Sequence, residues 1–102
     1  MLNSKQRAFL RSLAADADTI VMVGKGGFAD NIVKQTDDAL TARELVKGKV
    51  LETAPLDVRE CAERLAAETN ADVVQVIGRK FVLFRRNKEN PVIELPKVRR
   101  QS

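Results

Sequence analysis

Gly24-Lys25-Gly26-Gly27 is the stretch of this sequence best suited to chemistry. Three glycines let a backbone turn sharply and come close to a ligand. Lys25 adds a cation at the tip of that turn. A helix expected to begin near Phe28 would contribute unpaired N–H groups and the positive end of its dipole. Together these features would hold a phosphate oxygen; the bland alternative is a tight strand-to-helix turn. Two nucleotide loops are excluded. A Walker loop needs Gly-Lys followed by Ser or Thr with its glycine spacing ahead, and the dinucleotide fingerprint needs three spaced glycines.

Other cations fall in two places. Lys47 and Lys49 alternate along an expected strand and share one face. Arg79 and Lys80 sit at the tip of an expected hairpin, and Arg85 and Arg86 follow it. Guanidinium groups bind phosphate in a bidentate manner and stack on exposed bases. The plain alternatives are a solvated face and a Lys-x-Lys pair that protects an edge strand. The formal charge is +4, unevenly spread. Residues 1–49 carry 8 basic and 6 acidic side chains, residues 50–78 carry 2 and 6, and residues 79–102 carry 8 and 2. Such separation suits one surface that faces a polyanion and one that faces away.

Several chemistries are absent. With no histidine and one cysteine, Cys61, neither a Ser/His/Asp nor a Cys/His arrangement can form, and a mixed zinc site is impossible. Cys61 falls on an apolar helical stripe and reads as a small buried hydrophobe. Asp37 and Asp38 point about 100° apart on a helix and do not converge on one atom. Glu60, Glu63 and Glu68 read as a solvated acidic face. Phe81 and Phe84 read as core in preference to stacking platforms. No catalytic residue, metal or cofactor is expected. No stretch approaches a membrane span, and the charged first residues do not read as a signal peptide, so a cytoplasmic location is expected.

The elements that must position these residues follow from periodicity. Asn3 and Gln6 have capping-box spacing ahead of a helix over 4–15, whose stripe is Phe9, Leu10, Leu13 and Ala14. The β-branched run 19–23 reads as a buried strand. A helix over 28–43 presents Ala29, Ile32, Val33, Thr36 and Leu40, and a strand over 44–52 alternates Val46, Gly48 and Val50 against Leu45, Lys47, Lys49 and Leu51. Gly48 weakens that strand, or marks a bulge or a close approach. Asp57 and Glu60 start a third helix, and strands over 73–77 and 81–84 join through Gly78-Arg79-Lys80. The expected fold is a single α/β (α+β) domain, αβαβαββ, with a four-stranded mixed sheet packed with helices. The domain is expected over 1–88, followed by an extended basic tail over 89–102.

The blocks from Val23 to Phe28, Ala39 to Val50 and Gln75 to Arg86, in this order, closely resemble the CRM domain, the chloroplast RNA splicing and ribosome maturation family. A lone domain of this length is most similar to the bacterial YhbY-like members. The resemblance implies a two-layered fold like the C-terminal domain of bacterial translation initiation factor three. It also implies RNA binding, and association with precursors of the large ribosomal subunit. The loop matches the Gly-x-x-Gly segment with which KH domains clamp a nucleic-acid backbone. By position, the family's loop falls on Gly24, Lys25 and Gly27, and its basic strand face on Lys47 and Lys49. The sequence departs from the family at Gly48, where a branched apolar residue is usual, and at Phe84, where tyrosine is common. The expectation is a monomeric, non-catalytic protein that binds ribosomal RNA through Gly24, Lys25, Gly26, Gly27, Lys47, Lys49, Arg79, Lys80, Arg85 and Arg86. It takes no small-molecule substrate and meets no membrane. The alternative is a protein-interaction module that docks an acidic partner on the same basic face.

Overall fold

The structure, a computed structural model, describes residues 2–95. The element order is α1 (Ser4–Ala15), β1 (Thr19–Val23), a 3-10 turn (Gly27–Asp30), α2 (Ile32–Arg43), β2 (Leu45–Val50), α3 (Val58–Thr69), β3 (Asp72–Ile77) and β4 (Lys80–Phe84). The αβαβαββ order and the four-stranded mixed sheet are as the periodicity predicts. The capping box of α1 is complete: Gln6 N–H donates to Asn3 Oδ1 at 2.8 Å, and Asn3 N–H donates to Gln6 Oε1 at 3.2 Å. Asp57 caps α3 by accepting from Glu60 N–H at 2.8 Å.

The second helix differs from expectation. It starts at Ile32 and not near Phe28, because Asn31 is in the left-handed region at φ 63° and separates it from the 3-10 turn. Asparagine tolerates that conformation better than most residues. At the other end of α2, Glu44 turns the chain directly into β2 at φ 64°, so the strand begins one residue later than expected.

The sheet order is β1-β2-β4-β3. The α2 crossover makes β1 and β2 parallel neighbours. The α3 crossover instead leaves a gap beside β2, and β4 folds back into it, antiparallel to both β2 and β3. The hairpin therefore fills the centre of the sheet.

Helices cover both faces, where the resemblance implied two layers. On one face α2 and α3 bury Ile32, Leu40, Cys61, Ala62 and Leu65 against Val21, Val23, Val46, Phe81 and Leu83. Each large apolar side chain buried in this way contributes about 1.5–3 kcal/mol. Burial pushes the Cys61 thiol up to about 11, as befits a small hydrophobe. On the other face α1 lays Leu10 and Ala14 on Val74, Val82 and Phe84, and Ile93 and Leu95 complete this second cluster. Phe81 and Phe84 are both core residues. Leu13, expected on the buried stripe of α1, is exposed.

Residues 87–95 are tied to the domain by one buried carboxylate. Glu44 Oε2 accepts from Asn87 N–H at 2.6 Å, and Oε1 accepts from Val92 and Ile93 N–H at 2.8 and 2.6 Å. Of the tail expected over 89–102, residues 96–102 lie outside the described residues.

Candidate nucleic-acid interface

Strand direction decides which functional residues meet. β1, β2 and β3 end, and β4 begins, at the same end of the sheet. The glycine loop, the 51–57 connection and the Gly78-Arg79 turn are therefore gathered there.

The loop is a tight turn closed by Gly27 N–H donating to Gly24 O at 2.9 Å. Gly27 has φ +55° and is buried, and a Cβ on it would lie 3.1 Å from Pro55 Cγ. Glycine is thus needed at 27 both for its conformation and for its space. The loop's entry is held by Leu51 N–H donating to Val23 O at 2.8 Å. So the 51–57 connection braces the loop on two sides and leaves Lys25 and Gly26 exposed at its tip. The expected contribution of a helix N-terminus is corrected: a 3-10 turn and Asn31 separate the loop from α2. The groups left there that could hold an anion are the loop backbone and the exposed Lys25 ammonium.

Lys49 and Lys80 are partners across β2 and β4. They share the α1 face with Lys47, whose partner across the sheet is Val82. Arg79 lies at the hairpin tip, with Nη2 3.3 Å from Glu52 Oε1. Both members of that pair are well exposed, so it restrains Arg79 little. Lys47 is half-buried, and its Nζ donates to Ala14 O at 3.1 Å. A cation at the C-terminus of a helix is favourably placed, so Lys47 also fastens α1 to the sheet. The lysine face is therefore partly covered by α1 and is not a wholly solvated face.

Arg85 and Arg86 do not join this group; they follow β4 at the other end of the sheet. The Arg85 guanidinium donates to Asp37 Oδ1, Asp37 O, Thr69 O and Thr41 Oγ1, which occupies both terminal nitrogens. It joins α2 to the end of α3 and has little left for a ligand. Asp37, whose side chain is not expected to converge with that of Asp38, is the carboxylate of this clamp. Arg86 is exposed beside the Glu44 region.

Two cations near the site carry no clear mark in the sequence. Arg11 of α1 lines a groove with Lys47, Lys80 and Gln75. Its signal is the Arg7/Arg11 stripe, but only packing shows which side of the sheet α1 covers. Arg64 of α3 lies 4.3 Å from the centroid of the Phe28 ring, directly after the glycine loop. In the sequence it is hidden among the acids of α3.

The family model described as the CRS1 / YhbY (CRM) domain matches residues 2–85. The chain is 47% identical over 96 residues to "Probable RNA-binding protein YqeI" of Bacillus subtilis, covering 94% of this chain and 100% of that one. It is 33% identical to an "RNA-binding protein" of Haemophilus influenzae, covering 94% and 96% respectively. The solution structure of the hypothetical protein SAV1595 from Staphylococcus aureus superposes with a TM-score of 0.77 at 49% identity, over 94% of this chain and 100% of that one. By sequence and by fold, the chain belongs to the CRS1/YhbY (CRM) domain family.

Proposed function

We propose that this chain is a non-catalytic protein that binds ribosomal RNA in the cytoplasm and acts on precursors of the large ribosomal subunit. The observation that carries the reading is the gathering of Lys25, Lys49, Arg79 and Lys80 at the end of the sheet that bears the glycine loop. Loop N–H groups and Lys25 hold the RNA backbone, and the sheet and hairpin cations continue the contact. Phosphate recognition of this kind asks for fixed positive charge and close backbone approach, and for no acid–base group. The relatives named as RNA-binding proteins support the choice of RNA as the polyanion. Each phosphate contact adds about 0.7 to the magnitude of the salt slope on a single strand.

Sedimentation of cell extract tests the assignment. The protein is expected to travel with large-subunit precursors and to leave them after nuclease treatment. Retention on a protein partner after complete nuclease digestion would favour the interaction-module reading and overturn this one.

A further inference from the structure

Each strand places one residue in a single row at the loop end of the sheet. Met22 pairs with Lys49, Lys49 with Lys80, and Lys80 with Ile77. With strands about 4.8 Å apart, the row is roughly 14 Å long. It lies on the α1 face, since Lys47, Val82 and Gln75 form the next row of that face and floor the groove under Arg11.

The composition of this row is unusual for a surface that meets only phosphate. Its outer positions are apolar and open, with Met22 56% and Ile77 62% exposed. Further along the same face, Leu45, Val82 and Phe84 are covered by α1 and by Ile93 and Leu95. Among the strand residues the exposed large apolar side chains, Met22 and Ile77, therefore both lie at the loop end, where they bracket two lysines. No carboxylate occurs in either row.

Two kinds of RNA would meet this row differently. A duplex presents phosphates and 2′-hydroxyls and keeps its base faces stacked inside. It could use Lys49 and Lys80 but would leave Met22 and Ile77 against polar groups. An unpaired strand offers phosphates to the lysines and base faces to the apolar side chains. A methionine thioether packs well on an aromatic ring.

Resting on the RNA-binding reading above, we infer that the ligand at this site is an unpaired RNA strand that crosses the sheet from the glycine loop. Met22 and Ile77 contact its bases, and Lys49 and Lys80 contact its backbone. Charge complementarity selects a nucleic acid as the occupant, and the exposed apolar ends select the unpaired form.

The test compares a 16-nucleotide unstructured RNA with the same strand annealed to its complement, across a series of salt concentrations. The wild-type chain is expected to prefer the single strand by about tenfold. Met22→Ser with Ile77→Ser, whose folding is checked by thermal unfolding, is expected to lose about fivefold or more on the single strand with an unchanged salt slope. Lys49→Ala with Lys80→Ala should instead flatten the slope. Equal wild-type affinity for the two RNAs, or a folded Met22/Ile77 variant with undiminished single-strand affinity, overturns the inference and leaves RNA binding itself standing. Binding to neither RNA overturns both. An apolar protein partner seated on the row would appear as a Met22/Ile77 variant that keeps its RNA affinity.

Discussion

Gly48 and Phe81 face each other across β2 and β4, and the Phe81 ring fills the space where a side chain at 48 would begin. A Cβ on Gly48 would lie 2.2 Å from Phe81 Cζ, with two further ring atoms within 2.7 Å. The β2–β4 register runs unbroken from Leu45 to Lys49, so towards β4 this glycine marks a close approach; the irregularity beside it is in β1, whose register shifts between Thr19 and Val21 opposite Lys47 and Gly48. Because Phe81 is fully buried, its ring cannot swing aside.

Adding a side chain at 48 therefore overpacks the core. Gly48→Ala is expected to cost about 2 kcal/mol in urea denaturation, and Gly48→Val more. Phe81→Leu in the Gly48→Val background should recover part of that loss, since the two positions share one volume. Strictly additive costs would show that the ring and position 48 do not compete.

Arg85 is expected to matter for stability and not for RNA. Its pair with Asp37 is half-exposed on the acid side and contributes little as an ion pair. Its larger role is to satisfy Thr69 O at the end of α3 and Asp37 O on α2. Arg85→Ala should destabilise the fold by about 2 kcal/mol while leaving the salt slope of RNA binding unchanged. A flattened slope at full stability would assign Arg85 to the interface instead.

Acid stability should report on Glu44. Burial alone would raise its carboxyl pKa, but N–H groups of Asn87, Ile93 and Val92, with the charge of Arg86, hold it below its ordinary value of 4.5. A depressed folded value means that the stabilisation is complete above about 4.5 and is lost as pH falls through the lower folded value. Glu44→Gln should be less stable near neutrality, because its amide sets a donor against one of those N–H groups. Its stability should also fall less as pH drops below about 4.5. Matching acid profiles for the two proteins, followed by urea denaturation, would contradict this role.

The parts of the fold set by local pattern are legible in the residues themselves. Helix α1 and strand β1 have the predicted limits because a capping box and a β-branched run are local signals. The α2 start is not legible, since nothing in the residue types alone announces that Asn31 is left-handed. Sheet order depends on which strand fills the place beside β2, a long-range matter. The same limit explains the candidate site. The glycine loop and Lys49 are marked by spacing, whereas Arg85 and Arg79 look alike in sequence and are separated only because β4 carries them to opposite ends of the sheet. Glu44 carries no signal: its partners Asn87, Val92 and Ile93 lie more than forty positions away.

Lys47 and Lys49 should separate on mutation, although they lie two residues apart on one strand face. Lys49→Ala is expected to lower RNA affinity and flatten the salt slope by about 0.7, with stability unchanged. Lys47→Ala should in addition loosen α1, because it removes the bond to Ala14 O. Amide hydrogen exchange in the last turn of α1 would show this as faster exchange in the Lys47 variant only. Equal exchange in both variants would mean that Lys47 does not hold the helix.

If the glycine loop holds the RNA backbone, reversing its charge removes that contact. Lys25 and Gly26 are exposed, and Gly26 has an ordinary φ of −72°, so Lys25→Glu with Gly26→Asp should fold normally. The measurement is affinity for ribosomal RNA at fixed salt, with thermal unfolding as the control. Binding is expected to fall by a factor of at least about one hundred with an unchanged melting temperature. A folded variant that binds ribosomal RNA as tightly as the wild-type chain would contradict this role of the loop.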